Sequence, residues 1–458
     1  MLALSLPYQP HATAWLRRLR PLGAPVLLHS AERSTRFGRF DILSAAPRCR
    51  YRLEGGTLFR DSTCLWQAGT STHSPLDALR RDLEQQLPDS NDTHSTATPD
   101  MPFRRGYLGY FGYPLHALLE QHDPPPADPA GLPLLFGGCY DWSIVTDHRR
   151  RRSVLWATDS DQQRRVEAAL ERPAEDRATD LDQAFQPSLS RRSYRNAFER
   201  IRAFTEAGDC YQINFARHFS AAFSGDPLTI YEQWLRIQPA PFAAYLEDER
   251  GGAVLSLSPE RFLRVRRQEH ALIADVSPIK GTRRRGTTAS GDRAQRLKLL
   301  RSAKDRAENL MIVDLLRNDL GRVAQTGTVT VTHLCEPLTF ANVHHLVSTI
   351  RAELAPPAQA LEAFEALFPS GSITGAPKLR AIDIINTLEP VGRSVYCGAI
   401  GYLNEFGEMD SSVAIRTGVA AAGRLHLWGG GGLVLDSAAD AELDEIHHKI
   451  GGMLEPFA

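Results

Sequence analysis

The spacing of apolar and polar positions changes along the chain, and it predicts which segments are helices and which are strands. Apolar side chains recur every three to four residues over 194–207, 302–320 and 377–388, the last of which opens on a proline that suits a first helical turn. Alternation typical of strands occupies 208–223 and 252–266. Antiparallel strand pairs set between helices favour an α+β fold over a doubly wound parallel sheet.

The first 190 residues show shorter patterns. Residues 24–29 and 139–146 alternate like strands, and 104–113 (RRGYLGYFGY) is predicted as an aromatic, glycine-rich turn region with closely packed backbones. Three polar, proline-rich segments, 85–102, 122–133 and 171–190, are predicted as surface connections. The third marks the predicted boundary between an N-terminal region, 1–190, and a catalytic region, 191–458.

Charge and cysteine usage exclude several classes of protein. The 53 Lys and Arg residues nearly balance the 54 Asp and Glu residues, so bulk charge does not favour nucleic acid or an anionic membrane as a partner. The six cysteines are scattered without metal-ligand spacing, which favours reduced thiols in a cytosolic protein. Neither a signal peptide nor a run of roughly 18 apolar residues is found, so we expect an unprocessed, soluble, cytoplasmic protein.

Two segments each carry a pair of carboxylates three residues apart on one helical face. KDRAENLMIVDLLRNDLGR holds Asp305 and Glu308, and ADAELDEIHHKIGGML holds Glu442 and Glu445, with Lys449 one turn further on. Such pairs suit magnesium, which accepts one or two carboxylates and keeps waters; two solvated helix faces are the alternative. A di-iron site would need Glu-x-x-His on both helices, and the first has Met311 where the histidine should be.

Two glycine-containing segments could receive an anion. GSITGAPK, residues 371–378, leads into a helix whose first amides would be unpaired, and WGGGGLVLDS, residues 428–437, would let a ligand carboxylate approach the backbone. A bulged hairpin turn is the alternative for the four glycines. Arg416 could pair with a carboxylate or lie in solvent on an edge strand. His344 and His345 are adjacent on a predicted strand, so at most one enters a site.

Lys280 lies between Pro278-Ile279 and Gly281-Thr282, where partial burial is expected. A lysine amine is a nucleophile only when it is neutral, and desolvation or a neighbouring cation favours the neutral form. A structural lysine that extends its ammonium group to solvent is the alternative.

Taken together, the motifs resemble the chorismate-utilising enzymes. They are SPERF, PIKGT, KDRAENLMIVDLLRND, HHLVST, GSITGAPK, CGAIGY and GGGGLVLDS, in this order between residues 192 and 455. The N-terminal part, with LLHS and GRFDIL, resembles the family more loosely. The resemblance implies a four-layer α/β/β/α sandwich of two orthogonally packed, mainly antiparallel sheets, with the N-terminal region woven into the same body.

The resemblance also implies a reaction. Chorismate would be aminated by ammonia in a magnesium-dependent step, with the ammonia delivered by a separate glutaminase subunit, since this chain has no G-x-C-x-G nucleophile turn. A lysine at position 280 would bond temporarily to ring carbon 2 and leave carbon 4 for ammonia. The anthranilate synthases have PIAGT there, and they remain the alternative.

Residue roles follow from the resemblance position by position. Glu308 and Glu445 would hold the metal, with Glu442 and Asp305 behind them through water. The substrate would contact Tyr396, Arg416, Gly430, Gly432, Lys449 and Ser372, while His345 would lie near the departing hydroxyl and Glu260 would act as acid and base. Gln212 stands where isochorismate and salicylate synthases carry a water-activating lysine, which argues against water as the nucleophile. His29 replaces the glutamate of feedback-regulated anthranilate synthases, and the sequence leaves open whether tryptophan binds.

Overall fold

Two large β-sheets, each covered on its outer face by helices, form the fold. The computed structural model describes residues 1–87, 101–173, 179, 184–248 and 250–455. Within those ranges, every strand pairing in the two sheets is antiparallel. Helices and antiparallel strands therefore occur together, and the predicted α+β class is confirmed.

The helices follow in chain order. They are α1 Ala12–Leu19, α2 Pro75–Gln86, α3 His116–Leu119, α4 Ser160–Glu171, α5 Arg191–Glu206, α6 Pro227–Ile237, α7 Ala289–Arg301, α8 Ala303–Gly321, α9 Ala360–Leu367, α10 Lys378–Leu388 and α11 Ala439–Leu454.

The strands alternate with them. They are β1 Leu2–Leu6, β2 Val26–His29, β3 Phe40–Ser44, β4 Cys49–Glu54, β5 Thr57–Arg60, β6 Thr63–Gln67, β7 Gly106–Phe111, β8 Leu135–Tyr140, β9 Ser143–Asp147, β10 Arg152–Ala157, β11 Gln186–Pro187, β12 Gln212–Ala222, β13 Phe242–Glu247, β14 Ala253–Ser258, β15 Arg261–Gln268, β16 Ala271–Ser277, β17 Ile279–Arg284, β18 Thr330–Thr339, β19 Val343–Glu353, β20 Gly375–Ala376, β21 Ala399–Asn404, β22 Met409–Val413, β23 Thr417–Ala421 and β24 Arg424–Leu433.

The strands divide into two sheets, and each sheet mixes strands from both ends of the chain. The first sheet has the order β1-β10-β9-β3-β2-β13-β14-β23-β24-β12-β11, with β20 beside β12. The second has the order β17-β19-β16-β15-β22-β21-β7-β8-β4-β5-β6, with β18 beside β19. Strand β2 pairs with β13 and β7 pairs with β21, so strands from before and after residue 190 share both sheets.

Two apolar cores hold these layers together. One core joins the inner faces of the sheets to α2, α8 and α9; Trp428 of the first sheet and Phe262 of the second both belong to it. The other core packs α1, α4, α5, α6, α10 and α11 on the outer face of the first sheet. The predicted order of helix, sheet, sheet and helix is confirmed.

The chain crosses from one sheet to the other at positions that matter for the site. Pro259 and Glu260 join β14 of the first sheet to β15 of the second, and Arg416 lies just before β23, where the chain returns from β22. Arg416 has a left-handed backbone with φ of 51°. The alternative of an edge-strand position for Arg416 is therefore excluded, because the residue lies in the crossing between the sheets.

Several local predictions need correction. Residues 104–113 do not form a turn region but contain β7, a fully buried strand. Residues 139–146 belong to two strands in different sheets rather than to one strand. The apolar spacing of residues 302–320 predicts that Leu310 and Val313 share the apolar face of α8, but Leu310 is 55% exposed. Pro377 precedes α10 as its N-cap residue and is not part of the first turn.

The helical and cysteine predictions agree with the structure. Helices α5, α8 and α10 lie where the apolar spacing placed them, and α11 covers the segment predicted as the helix with Glu442 and Glu445. All six cysteines are free thiols. In the described parts of the chain, the helices are all too short or too polar to cross a membrane. The predicted connection 85–102 lies largely outside the described residues, and so do residues 174–178 and 180–183 of the connection 171–190. The boundary at residue 190 stays a prediction.

Candidate active site

The four glycines of WGGGGLVLDS lie within strand β24, so a hairpin turn at this segment is excluded. Residues up to Leu427 pair with β23 on one side, whereas Trp428 to Leu433 pair only with β12. One edge of the glycine stretch is therefore left without a neighbouring strand. Side chains from both layers use this opening to approach the glycine backbone.

Neighbouring side chains already occupy the space beside these glycines. A Cβ atom on Gly431 would lie 3.2 Å from Glu442 Oε2 and 3.6 Å from Lys449 Nζ. A Cβ atom on Gly432 would lie 2.9 Å from Gln212 Nε2 and 3.2 Å from Lys280 Nζ. The absence of a side chain at Gly431 thus allows Glu442 to lie against β24, and its absence at Gly432 allows Lys280 to do the same.

Helix α11 presents one of the predicted carboxylate pairs to this opening. Ser437 Oγ donates to Glu442 Oε1 at 2.6 Å, and Lys449 Nζ is 2.7 Å from Glu445 Oε1. Lys449 also donates to the carbonyl of Gly430 at 3.0 Å. The positive charge of Lys449 lowers the pKa of the Glu445 carboxyl, whereas burial raises the pKa of Glu442.

Helix α8 supplies the other pair. Ser302 caps this helix by accepting a hydrogen bond from the backbone of Asp305, and Asp305 Oδ2 accepts from Arg283 at 2.8 Å. Glu308 is 3.9 Å from Lys304, its nearest ion-pair partner. Burial raises the pKa of Glu308, and the negative charges of Asp305 and Glu445 act in the same sense. The charge of Glu445 acts on Glu308, so the two helices bring carboxylates near each other.

This donor set fits magnesium. Over the described residues, no three His, Cys, Asp or Glu side chains stand close enough together to hold a metal ion by themselves. Magnesium does not need such a cage, because it takes one or two carboxylates and completes its shell with waters and substrate oxygens. A divalent cation would also offset the repulsion between Glu308 and Glu445. Asp305 is the weakest member, because Arg283 already neutralises it.

Lys280 lies on β17 and is partly buried, as its apolar neighbours predict. Burial lowers the pKa of its amine, and the charge of Lys449 adds to this effect, whereas Glu308 and Glu260 oppose it. A larger fraction of the amine is therefore neutral near pH 7 than in an exposed lysine.

Glu260 and Ser372 form a buried pair beside Lys280. Ser372 Oγ donates to Glu260 Oε1 at 2.7 Å, and both residues are almost inaccessible to solvent. Burial raises the pKa of Glu260 to about 7, although the hydroxyl of Ser372 and the charge of Lys280 both act to lower it. The carboxyl can therefore both donate and accept a proton near neutral pH.

The segment GSITGAPK leads into helix α10, and its predicted role as an anion cradle stays a prediction. Its Gly375 and Ala376 form the short strand β20, which pairs with Ile213 and Gln212 of β12. Lys378 is buried in an ion pair with Asp319 at 2.7 Å and donates to the carbonyl of Leu367 at 3.1 Å. The segment thus contributes Ser372 to the site, while its lysine holds α10 against α8.

His344 and His345 point to opposite sides of β19, as predicted. His344 Nε2 is 2.9 Å from Asp292, whereas His345 Nδ1 is 2.9 Å from Thr282 Oγ1. Burial lowers the pKa of His345 to about 3, so its ring is neutral, and the charges of Arg416 and Lys449 add to the effect. His345 is therefore the histidine that faces the site.

Arg416 and Tyr396 are two further predicted site residues, and the charge of Arg416 acts on His345. Burial lowers the pKa of the Arg416 guanidinium to about 10, and within the described part of the chain no carboxylate forms an ion pair with it. Tyr396 is buried, with its ring parallel to that of Trp428 at 6.3 Å. Arg416 thus has a positive charge that no carboxylate of the described residues pairs with, and it can bind an anionic group.

Several buried polar atoms among the residues of the site lack a hydrogen-bond partner. They are Gln212 Oε1 and Nε2, Asn214 Oδ1 and His345 Nε2. Buried polar atoms are normally hydrogen-bonded, so a ligand or ordered water is expected here. The sequence prediction did not include Asn214. Its position two residues after Gln212 in an alternating strand places both on one face, and this signal could have identified it.

Comparisons with known proteins agree with this geometry. The sequence model of the family described as "chorismate binding enzyme" matches residues 26–455. The chain is 41% identical to aminodeoxychorismate synthase component 1 of Klebsiella aerogenes over 98% of each chain. It is 37% identical to anthranilate synthase component 1 of Pseudomonas aeruginosa, covering 79% of this chain and 76% of the relative.

A solved structure shows the same fold. The crystal structure of anthranilate synthase component I from Streptococcus pneumoniae aligns with a TM-score of 0.78 and 30% identity, covering 92% of this chain and 93% of that one. Residues 26–455, which the family's sequence model matches, include every predicted site residue. This chain is therefore a member of the chorismate binding enzyme family.

Proposed function

We propose that this chain converts chorismate and ammonia to 4-amino-4-deoxychorismate, with magnesium, and that a separate glutaminase subunit delivers the ammonia. Relatives named aminodeoxychorismate synthase component 1 match at 41% identity over 98% of this chain, against 37% over 79% for an anthranilate synthase component 1. The single observation that carries the proposal is the position of Lys280. Its amine lies at Gly432, where the charges of Glu308, Glu445 and Glu260 act on it.

Lys280 would begin the reaction as a nucleophile. Its neutral amine forms a bond to ring carbon 2 of chorismate, the ring double bonds shift, and the bond between carbon 4 and its hydroxyl breaks. Ammonia then bonds to carbon 4, the double bonds shift back, and the bond from carbon 2 to Lys280 breaks. The sum is chorismate plus ammonia giving aminodeoxychorismate plus water, with the lysine regenerated.

Glu260 would supply the proton that the leaving hydroxyl needs. Its pKa of about 7 keeps a large part of the carboxyl protonated at neutral pH. Ser372 holds one oxygen of the carboxyl by a hydrogen bond of 2.7 Å. After the hydroxyl departs as water, the carboxylate can take a proton from the attacking ammonia, so the same group serves both halves of the reaction.

Glu308 and Glu445 would hold the magnesium ion directly, with Glu442 and Asp305 behind them through water. When bound, magnesium neutralises the ring carboxylate of chorismate and so favours attack on the ring. Lys449 and the glycines Gly430 and Gly432 would line the same side of the pocket, since Lys449 already bonds to the Gly430 carbonyl.

The other end of the pocket would bind the enolpyruvyl carboxylate. Arg416 offers a planar guanidinium without a carboxylate partner among the described residues, and Tyr396 offers a hydroxyl. His345 is neutral, and its unpartnered Nε2 would contact the departing hydroxyl. Ammonia must come from outside, because the chain lacks the nucleophile turn of a glutaminase.

Product analysis tests the proposal. The purified chain is incubated with chorismate, magnesium chloride and ammonium salt, and the products are separated and identified by mass. We expect aminodeoxychorismate, which differs from chorismate by the exchange of a hydroxyl for an amine. Anthranilate would instead support the alternative activity, and the absence of any amination would overturn the proposal.

Lys280→Ala is the decisive variant. It removes the attacking amine while leaving the carboxylates in place, so we expect loss of conversion at carbon 4. Undiminished aminodeoxychorismate formation by this variant would rule out the lysine mechanism. Arg284→Ala is a matched control, because Arg284 lies on the same strand and its side chain is exposed. It should retain most of the activity.

A further inference from the structure

Arg393 and Glu389 form a buried ion pair beside the site. Arg393 is 1% exposed and lies in the connection between α10 and β21. Its Nε donates to Glu389 Oε2 at 2.9 Å, and its Nη2 donates to Glu389 Oε1 at 2.7 Å. The guanidinium also lies 4.9 Å from the centre of the Tyr113 ring. Such burial of a charged pair needs an explanation, because desolvation offsets much of its attraction.

The remaining donors of Arg393 reach two backbone carbonyls. Nη1 donates to the carbonyl of Ile373 at 2.9 Å, and Nη2 donates to the carbonyl of Asn214 at 2.6 Å. Glu389 Oε1 in turn accepts from the backbone N–H of Ala216 at 2.7 Å. One ion pair thus joins α10, strand β12 and the segment that carries Ser372.

The ion pair bonds to backbone groups of β12 at an edge where no neighbouring strand is present. Strand β20 pairs with Gln212 and Ile213, and β11 pairs with Phe219 and Ser220. Between these two short strands, the carbonyl of Asn214 and the amide of Ala216 bond to side chains instead. These two backbone groups therefore make hydrogen bonds although no strand lies beside them.

Arginine is suited to this position. Its planar group carries five N–H donors in a fixed fork, which lets it meet a carboxylate and two carbonyls at the same time. A lysine ammonium carries three donors on one atom and cannot span these acceptors. The requirement is for geometry as well as charge.

Both carbonyls belong to residues next to, or within, the site. Ile373 follows Ser372, whose hydroxyl bonds to Glu260 at 2.7 Å. Asn214 directs its unpartnered Oδ1 toward Gly430, where a Cβ atom would lie 3.1 Å away. A shift of either backbone segment would therefore move a polar group of the pocket.

We infer that Arg393, oriented by Glu389, is a positioning residue that holds the backbones of Ile373 and Asn214 so that Ser372 and Asn214 face the reacting substrate. Arg393 itself does not touch the substrate. The inference rests on the proposed function and adds to it the residue that aligns Ser372 with Glu260.

The test uses Arg393→Lys, Ser372→Ala and the double variant, assayed with chorismate, magnesium and ammonium salt. Misplacement by about 1 Å can cost on the order of a hundredfold in rate, so Arg393→Lys should lower kcat about tenfold to a hundredfold, with KM for chorismate little changed. If Arg393 acts through Ser372 as well as through Asn214, the two losses will add only in part, and the double variant will lose less than the product of the two single losses.

The pH profile provides a second readout. Loss of the hydrogen bond from Ser372 should raise the pKa of Glu260, while Lys280 and the backbone of Ile279, the other groups acting on that carboxyl, are unchanged. The alkaline limb of kcat should then move to higher pH in Arg393→Lys and Ser372→Ala alike. A purely structural arginine would lower Tm without moving this limb.

Two further variants serve as controls. Arg39→Lys changes another arginine that donates to a carboxylate through two nitrogens, here to Asp147 at 3.2 and 2.8 Å on a different strand. This variant should lower Tm while kcat and the pH profile stay unchanged. Glu389→Gln loosens Arg393 without replacing it, and it decides the question if Arg393→Lys does not fold.

Hydrogen exchange separates this inference from the proposed function. Whatever product the chain forms, Arg393→Lys or Glu389→Gln should speed amide exchange at residues 370–376 and 214–216, and Arg39→Lys should not. Unchanged exchange there, or additive losses of kcat in the double variant, would overturn the role of Arg393. An absent or different product in the wild-type chain would overturn the proposed function alone.

Discussion

Gly432→Ala should separate catalysis from stability at the centre of the site. The backbone of Gly432 does not have the positive φ that excludes alanine, so the strand itself tolerates the change. The new methyl group would lie 2.9 Å from Gln212 Nε2 and 3.2 Å from Lys280 Nζ, closer than the 3.4 Å at which ordinary contact begins. The ends of both side chains must therefore retreat by a few tenths of an ångström.

The effect on the free energy of unfolding should be small. Replacing glycine by alanine restricts the unfolded chain and contributes about 0.4–1 kcal/mol of stability. Crowding in a packed core typically costs about 1–3 kcal/mol, but here the crowded atoms end flexible side chains and can move. We expect the two effects to cancel to within about 1 kcal/mol.

The effect on the rate should be large. The methyl group fills the space between Gln212 and Lys280, and displacement of a reacting group by a fraction of an ångström to 1 Å costs about tenfold to a hundredfold in kcat. The assay measures kcat and KM for chorismate with ammonium salt, together with Tm. Wild-type kcat in a folded Gly432→Ala protein would refute the placement of the Lys280 amine at this glycine.

Gly138→Ala is the matched control. A Cβ atom there would lie 2.6 Å from Pro47 Cβ, in the N-terminal part of the second sheet. Overpacking against a rigid ring should lower Tm, while kcat per folded molecule stays unchanged. A parallel loss of kcat in both variants would mean that the rate reports general destabilisation rather than the position of Lys280.

Three further predictions concern the charged groups of the site. In Glu260→Gln, the alkaline limb of activity near pH 7 should disappear along with most of the rate. Because burial raises the folded-state pKa of Glu260 to about 7, the free energy of unfolding of the wild-type protein falls as pH rises from about 4.5 to 7. The variant should therefore be more stable than the wild type by up to ~3 kcal/mol at pH 8 in denaturant unfolding, and equal stability would contradict the burial of Glu260. Lys449→Met removes a charge that lowers the pKa of Lys280, so the acid limb of kcat/KM should shift to higher pH, and an unmoved limb would show that the two amines do not interact. Magnesium chloride should raise the Tm of the wild-type protein but raise that of Glu308→Gln much less, and equal increases in Tm would place the metal elsewhere. Without metal, Glu308→Gln should be the more stable of the two, because burial and neighbouring carboxylates raise the pKa of Glu308.

Local spacing was enough to predict the elements that carry the acidic pairs. Asp305 with Glu308, and Glu442 with Glu445, share a helical face because residues three apart always do so in a helix. The ordered motifs then indicated the family, and with it the layered fold.

Some elements could not be read from the sequence for an identifiable reason. Residues 104–113 contain a central strand buried on both faces, so the alternation that marks a half-buried strand is missing. Leu310 fits the helical stripe of α8 but is exposed, since only the packed sheet decides which part of an apolar face is covered. The four glycines left a hairpin turn open as an alternative, because their lack of side chains is equally compatible with a turn and with a backbone that other groups approach closely.

The sequence by itself determined the residue types, the helical faces and the membership of the family, because these depend on short spacings and on the order of motifs. The tertiary structure alone decided that Ser372 bonds to Glu260, 112 positions away, and that Arg393 links α10 to strand β12. It also decided which groups are desolvated, and therefore that the pKa values of Lys280 and Glu260 move toward neutrality. Burial and long-range contact are properties of the packed chain, and no local pattern contains them.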